Sequence, residues 1–140
     1  MKILLAVDGS DYTRKMLDYV CANKSLFDPA HHYTLLNTQA PLPPHARASL
    51  SGELVKDYYQ DESRKVLDVA AAALSAKGIT AELATKVGPA GETIASFAEQ
   101  GQYEMIIMGS HGHGAMARLM LGSVSSEVLA HCGVPVLLVR

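Results

Sequence analysis

Glycines and a serine that flank a short apolar run are the residues of this sequence best suited to hold an anion. Gly109 and Gly112 follow the apolar run 105–108, and after nine intervening residues come Gly122 and Ser123. Glycine lets the backbone approach a ligand closely because it has no Cβ. The free N–H groups of a helix's first turn and the positive end of its dipole attract anions. The spacing G-x2-G-x9-G-[ST] therefore predicts a phosphate-binding cradle.

Three better-known nucleotide motifs do not account for this segment. The lysine-containing phosphate loop, G-x-x-x-x-G-K-[ST], does not occur in the sequence. The dinucleotide fingerprint G-x-G-x-x-G belongs after the first strand, whereas GSHGHG follows the fourth strand and orders its glycines differently. The string His111-Gly112-His113 is similar to the H-x-G-H signature of nucleotidylyl transferases, which also belongs near a first strand. The glycine pattern is thus a different kind of site.

Five apolar runs separated by helical patterns predict the elements that must position this cradle. Strands are predicted at 3–7, 33–38, 79–87, 105–108 and 134–139. Amphipathic spacing predicts helices after a cap at Ser10 or Asp11, over 53–77, from Pro89 to Gly101, and from Ser123 to about Cys132. The proline-containing segment 40–52 is predicted to be an irregular loop.

The alternation of strands and helices predicts an α/β fold. We expect an open five-stranded parallel sheet in the order 3-2-1-4-5, with helices on both faces. Ligands bind beyond the carboxyl ends of the strands in such sheets, where the strand order reverses. One crevice is then expected to receive Asp8, Thr38, the glycine loop and the start of the last helix.

Length, charge and composition limit the class of protein. The 140 residues predict a single domain over 1–140, and a net charge of −2 gives no overall attraction to nucleic acid or anionic lipid. The first apolar run is too short to span a membrane, and it lacks a signal-peptide cleavage pattern. We therefore expect a cytoplasmic protein with neither a nucleic-acid nor a membrane partner.

The sequence resembles the universal stress protein family over nearly its whole length. The resemblance is carried by KILLAVDGS, GPAGETIASFAE, MIIMGSHG and LMLGSVSSEVLAHCGVPVLLVR, together with the glycine spacing. It implies a Rossmann-like fold that is usually dimeric, and the complete glycine motif is similar to that of the branch of the family that binds ATP.

Matched position by position, the resemblance implies an ATP site. The part near Val7 and Asp8 is expected to meet adenine and ribose, while the glycines and Ser123 hold the triphosphate, with Mg²⁺ bridging phosphates and a serine hydroxyl. Thr38 replaces an aliphatic contact, and His113 replaces an arginine with a titratable group. The expected site residues are Val7, Asp8, Thr38, Met108, Gly109, His111, Gly112, Gly122, Ser123, Val124 and Ser125.

Several alternatives stay open from the sequence. Asp8 is as suited to hydrogen-bonding its own loop as to binding a nucleotide. His111 and His113 are better explained as exposed loop residues than as metal ligands, and with Arg118 they could stabilise a phosphoryl group. No acidic residue is placed to orient water, so we expect a regulatory ATP-binding protein with at most slow hydrolysis. The alternatives are a nucleotide-free dimeric interaction module and a weak ATPase or phosphotransferase.

The last strand predicts self-association. The apolar run 134–139 is expected at an edge of the sheet, and an unprotected apolar edge strand tends to pair with another chain. Symmetric pairing with a second copy closes without leaving a further edge. We therefore expect a homodimer through this strand, and an unidentified protein partner that senses the nucleotide-bound surface.

Overall fold

The computed structural model describes residues 1–113 and 120–140, and this part of the chain forms five strands and five helices. They are β1 (Lys2–Ala6), α1 (Asp11–Ala22), β2 (His32–Gln39), α2 (Pro44–Ala48), α3 (Gly52–Ser75), β3 (Ala81–Val87), α4 (Ala90–Gln100), β4 (Met105–Gly109), α5 (Ser123–His131) and β5 (Val136–Val139). The alternation agrees with the sequence prediction. None of the helices described is long and apolar enough to cross a membrane.

The strands form one parallel sheet in the order β3-β2-β1-β4-β5, which confirms the predicted order. In this sheet β1 lies between β2 and β4, with Ala6 paired to Leu36 on one side and to Met108 on the other. The carboxyl ends of these three strands therefore lie at one edge of the sheet, where the strand order reverses.

Apolar residues cover both faces of the sheet. Leu5 packs in a cluster with residues of α1 and α3, and its neighbour Leu4 packs in a second cluster with residues of α4 and α5. Both side chains are fully buried, as expected for a central parallel strand whose successive residues point to opposite faces. The prediction of helices on both faces is confirmed.

Serine side chains cap the two helices on the α1 and α3 face. Ser10 Oγ accepts a hydrogen bond from the N–H of Thr13, which confirms Ser10 as the cap of α1. Ser51 Oγ accepts from the N–H of Leu54 in the same way at the start of α3. Each cap satisfies one of the backbone donors that the first turn of a helix leaves unpaired.

Two expectations from the sequence were wrong in detail. The segment 40–52 is not wholly irregular, because its prolines lead into the short helix α2, with Pro44 at the first helical position. Pro89 precedes α4 as its cap residue and is not the first residue of that helix. A glycine also sets the distance between α4 and α5. A Cβ on Gly91 would lie 2.3 Å from Glu127 Cβ, so a glycine is needed for these two helices to pack this closely.

Candidate functional site

A cavity of about 260 Å³ lies at the carboxyl ends of β1, β2 and β4. All eleven residues expected from the sequence line this crevice: Val7, Asp8, Thr38, Met108, Gly109, His111, Gly112, Gly122, Ser123, Val124 and Ser125. That they lie together is observed, whereas their binding of a ligand stays a prediction. Sequence reasoning did not place five further lining residues in the site: Ala6, Thr13, Leu36, Ala90 and Ile94. His113, named from the sequence as a possible partner of the phosphates, also lines the crevice.

The two glycine segments lie directly against each other. The N–H of Gly122 donates to the carbonyl of Ser110 at 2.7 Å. A Cβ on Gly122 would lie 3.0 Å from His111 Cα and 3.1 Å from Ser110 O, both backbone atoms. The amide of Gly122 is therefore used within the protein, and this glycine contributes a close approach of two backbones instead of a free donor.

Gly109 and Gly112 are held close to other parts of the site. A Cβ on Gly109 would lie 2.6 Å from Tyr12 Cβ in α1, so a larger residue would displace α1 from β4. A Cβ on Gly112 would lie 2.6 Å from Asp8 Oδ2, which places this carboxylate oxygen directly against the glycine loop. Gly109 thus brings the end of β4 against α1, and Gly112 brings the loop after β4 against the loop after β1.

The start of α5 differs from the starts of α1 and α3. Its cap residue is Gly122, which has no side chain, and no side chain caps the helix in the described part of the chain. The first hydrogen bond from the helix to its cap runs from Ser126 N to the Gly122 carbonyl. The N–H groups of Ser123, Val124 and Ser125 thus belong to the first turn, where a helix has no internal partners for them, and all three residues line the crevice.

The hydroxyl of Ser125 ties α5 to the glycine loop. Ser125 is buried, and its Oγ lies 3.1 Å from the carbonyl oxygens of both Gly109 and Ser110, to which it donates. This hydroxyl is therefore not directed at a ligand, and Ser125 has only its main-chain N–H to offer. The side chain of Ser123 is exposed at the same helix start, so its hydroxyl can reach a phosphate or a Mg²⁺ ion.

Asp8 uses one carboxylate oxygen for its own loop. Its Oδ1 accepts from the N–H of Ser10 at 2.9 Å and from Thr13 Oγ1 at 2.8 Å. Burial alone would raise the pKa of Asp8, but these hydrogen bonds and the nearby charge of His113 outweigh burial and lower the pKa below its ordinary value of 3.8. Asp8 is therefore ionised at neutral pH, with Oδ2 toward the glycine loop.

The two histidines of the loop contact the first strand and its helix. His113 Nε2 donates to the main-chain carbonyl of Asp8 at 2.6 Å. His111 packs against Tyr12 with ring centroids 4.9 Å apart and ring planes tilted by 40°, and its Nδ1 lies 2.9 Å from Ser110 Oγ. Arg118, the third candidate for stabilising a phosphoryl group, lies outside the described residues. Within residues 1–113 and 120–140, no group of three His, Cys, Asp or Glu side chains is placed to hold a metal ion.

The opposite side of the crevice is apolar, apart from main-chain groups at the end of β2. Leu36, Ile94 and Met108 line this side together with Thr38. Residues two apart in a parallel strand direct their N–H and C=O groups to the same neighbouring strand. Because Leu36 is paired with β1, Thr38 directs its main-chain groups to the same side, beyond the point where β1 ends at Ala6. A flat group inserted there would meet one donor and one acceptor.

Comparison with known proteins assigns the chain to a family. A model described as "Universal stress protein family" matches residues 1–140. The chain belongs to the universal stress protein family. It is 31% identical over 140 residues to universal stress protein Slr1230 of Synechocystis, covering 99% of this chain but only 42% of that protein. It is 33% identical over 141 residues to a universal stress protein of Thermus aquaticus, covering 99% of this chain and 97% of that one.

Solved structures share the fold. The hypothetical protein MJ0577 is 28% identical, with a TM-score of 0.81 over 99% of this chain and 94% of that one. The universal stress protein of Archaeoglobus fulgidus, in complex with dAMP, is 22% identical with a TM-score of 0.66, covering 100% and 98% of the two chains. A family member from Arabidopsis thaliana with AMP bound is 14% identical with a TM-score of 0.66, covering 99% and 91%. Identities this low show the fold alone.

Acidification is expected to destabilise the protein through Asp8. A carboxyl group whose pKa is lowered by folding stabilises the fold above its unfolded pKa, and this stabilisation is lost as the pH falls through the folded pKa. The free energy of unfolding should therefore fall as the pH is lowered from about 5 to about 2. In the Asp8→Asn variant the free energy of unfolding should fall less over the same pH range. Urea denaturation at several pH values measures both. Asp57→Asn, which removes an exposed carboxylate of α3, is the control, and identical pH profiles for Asp8→Asn and the unmodified protein would contradict the assignment.

Proposed function

We propose that this protein binds ATP in the crevice and acts as a nucleotide-dependent regulatory protein in a stress response. The observation that carries the proposal is the uncapped start of α5, which places the first-turn N–H groups of Ser123, Val124 and Ser125 at the crevice. Such donors need a partner, and an anion at the positive end of a helix dipole supplies one. A phosphate chain at this point would meet those amides beside the glycine loop.

The opposite side of the crevice suits a purine base. Apolar contacts from Leu36, Ile94 and Met108 suit its flat faces, while Thr38 supplies a main-chain donor beside an acceptor. The Watson–Crick edge of adenine offers the complementary acceptor and donor. The complexes of two relatives with AMP and dAMP support an adenine nucleotide as the ligand.

The glycine spacing, which is similar to that of the branch of the family that binds ATP, favours ATP with Mg²⁺ over the monophosphate. Asp8 Oδ2 lies against Gly112 of the glycine loop, and an ionised carboxylate there would accept hydrogen bonds from ribose hydroxyls. Mg²⁺ would be held by the phosphates and by the exposed hydroxyl of Ser123, because magnesium is usually bound through few protein oxygens and substrate phosphates.

Fast hydrolysis is not expected. In the described part of the chain, Asp8 is the only carboxylate that lines the crevice, and its Oδ1 is bonded to Ser10 and Thr13. Phosphoryl transfer to water needs a group that orients the attacking water. We therefore expect phosphate release close to the uncatalysed rate. Turnover well above it, abolished by Ser123→Ala, would instead favour the weak ATPase.

The regulatory mechanism would be occupancy of the crevice. ATP would join the loop after β4 to the start of α5 and so change the surface that these segments present. A partner protein that distinguishes this surface from the nucleotide-free one would then respond to ATP. In this proposal the whole span 1–140 acts as one nucleotide-binding domain.

Gly122→Ala is expected to weaken ATP binding. Its Cβ would press on backbone atoms of Ser110 and His111, which cannot move away independently, so the glycine loop would separate from α5. We expect the dissociation constant to rise roughly 10-fold, equivalent to about 1.4 kcal/mol. Isothermal titration calorimetry with ATP, with and without Mg²⁺, measures it.

Gly133→Ala is the matched control, because a Cβ at Gly133 has no heavy atom within 4 Å and the residue lies outside the crevice. It should bind ATP like the unmodified protein. If the unmodified protein shows no saturable binding, the proposal fails and the nucleotide-free interaction module is favoured.

We also propose a homodimer through β5. This strand is an edge of the sheet, and all four of its residues are only half-buried. The hydrogen bonds from Ile106 N to Pro135 O and from Ser110 N to Val139 O show that odd-numbered residues of β5 face β4. Val136 and Leu138 therefore direct their N–H and C=O groups away from the sheet, where a second copy can pair with them.

Val136→Pro is expected to give a monomer without unfolding the sheet. Proline removes an outward N–H from the edge but no donor of the β4–β5 ladder. Analytical ultracentrifugation at micromolar concentration should give twice the 14.9 kDa chain mass for the unmodified protein and the chain mass for Val136→Pro. Val136→Ala shortens the same side chain but keeps the N–H, so it should remain dimeric. A monomeric unmodified protein would rule out the dimer.

A further inference from the structure

We propose that Asn37 is a positioning residue that keeps the gap between β1 and β2 open. Its side-chain amide takes the carbonyl that would otherwise close the gap by pairing with Thr38. Asn37 does not itself line the crevice. The step from this gap to recognition of a base rests on the proposed function, whereas the gap itself is a property of the protein without ligand.

The β1–β2 ladder stops one hydrogen bond earlier than its register allows. Its last bond runs from Val7 N to the Leu36 carbonyl at 2.9 Å. In a parallel ladder the next bond would run from Thr38 N to the Val7 carbonyl. In the described residues that bond is not formed, Val7 lies beyond the end of β1, and its carbonyl accepts instead from Asn37 Nδ2 at 2.8 Å.

Neighbouring polar groups fix the orientation of the Asn37 amide. Its Oδ1 accepts from Ser63 Oγ at 2.8 Å and from Gln39 Nε2 at 2.7 Å, and Ser63 Oγ accepts in turn from Thr85 Oγ1 at 2.8 Å. Reversing the amide would turn Oδ1 toward the Val7 carbonyl and turn NH₂ toward Gln39, which also donates. The network therefore allows the orientation in which Asn37 donates to Val7.

Burying an asparagine at this position is energetically unfavourable unless its polar groups are hydrogen-bonded. Asn37 and Ser63 are only 2% and 1% exposed. Asn37 lies on the same face of the sheet as Leu35 and its apolar cluster, and Ser63 belongs to α3, which covers that face. Burying polar groups costs free energy unless each is hydrogen-bonded, and an apolar pair would fill the space without that requirement. The amide does what no apolar side chain can do here, because it replaces a main-chain N–H as the partner of Val7.

The consequence is a pair of main-chain groups that face the crevice. The Val7 carbonyl accepts from Asn37 Nδ2, and the N–H of Thr38 has no strand partner in the described chain. Gly9 has φ at +78°, so the chain leaves extended geometry after β1, and no main-chain N–H beyond β1 in the described residues donates to the Thr38 carbonyl. Asn37 therefore governs recognition of the base edge, and it has no part in binding phosphate.

Amide hydrogen exchange in the nucleotide-free protein tests the gap directly. The N–H of Leu36 lies in the ladder, whereas that of Thr38 lies at the crevice, so Thr38 should exchange at least roughly 100-fold faster than Leu36. NMR resolves the two amides, and the measurement needs neither a variant nor a ligand. Comparable protection of the two amides would overturn the proposal.

Two variants separate Asn37 from its network. Ser63→Ala removes one donor to Oδ1, while Asn37 keeps its bonds to Gln39 and Val7. Asn37→Leu combined with Ser63→Ala makes the buried pair apolar and leaves no orphaned donor on Ser63. In the double variant the Val7 carbonyl is free to accept from Thr38 N–H, so exchange at Thr38 should slow by about 10-fold or more relative to Ser63→Ala.

Ligand binding distinguishes positioning from general damage. ATP affinity should fall roughly 10-fold in the double variant, while affinity for inorganic tripolyphosphate should stay within about 2-fold, because the cradle is unchanged. Ser63→Ala should bind both ligands like the unmodified protein. Unchanged exchange at Thr38 in the double variant, or equal loss of both ligands, would overturn the role of Asn37. If the unmodified protein binds no ATP, the proposed function fails while the exchange measurements still decide whether Asn37 holds the gap.

Discussion

The parallel pairing of β1 with β4 is the constraint on which the candidate site depends. Its register sets Ala6 beside Met108, so the two loops that follow leave the sheet at the same level and on the same edge. Both loops lead toward helices, with α1 beginning at Asp11 and α5 at Ser123. The two strands are apolar and buried on both faces, so neither register nor direction can change without exposing the core. The site therefore inherits its geometry from the best-packed part of the molecule.

The glycines at this edge of the sheet are required for close packing within the protein, whether or not a ligand is bound. Gly109 is required by its contact with Tyr12, and Gly122 by its contact with the backbone of Ser110 and His111. Glycine content alone therefore does not distinguish a tightly packed turn from a phosphate cradle. The distinguishing feature is the helix start at the crevice. The helices α1 and α3 have serine caps, and α2 and α4 follow prolines without a side-chain cap, whereas α5 has a glycine cap and its first three residues line the crevice. In the described lining no lysine or arginine is present, so attraction of an anion would come from main-chain amides and the helix dipole.

The sequence predicted the sheet well because its strands are continuous apolar runs, and it predicted the lining of the crevice because strand order brings known strand ends together. It failed where position in space decides. Ile94 and Ala90 reach the crevice only because α4 packs over it, and nothing in their local spacing indicates this. The helix α2 was missed because prolines suit both an irregular loop and a helix start. The sequence analysis assigned no role to Asn37, because a single polar residue in a strand is common. A polar residue at a fully buried strand position, however, indicates a specific hydrogen-bonding role.

The alternatives that the sequence left open for Asp8 turn out not to exclude one another. One of its oxygens is bonded to Ser10 and Thr13, while the other lies against the glycine loop. Ser125 divides its groups similarly, with a hydroxyl committed to the loop carbonyls and an N–H in the first turn of α5. Asn37 goes one step further, since its whole side chain is internal and its effect is to leave a neighbour's main chain unpaired. In each case a hydrogen bond within the protein fixes the position of a second group at the crevice. A preorganised site needs this division, because a polar group that is free to satisfy itself elsewhere must be reordered when a ligand binds.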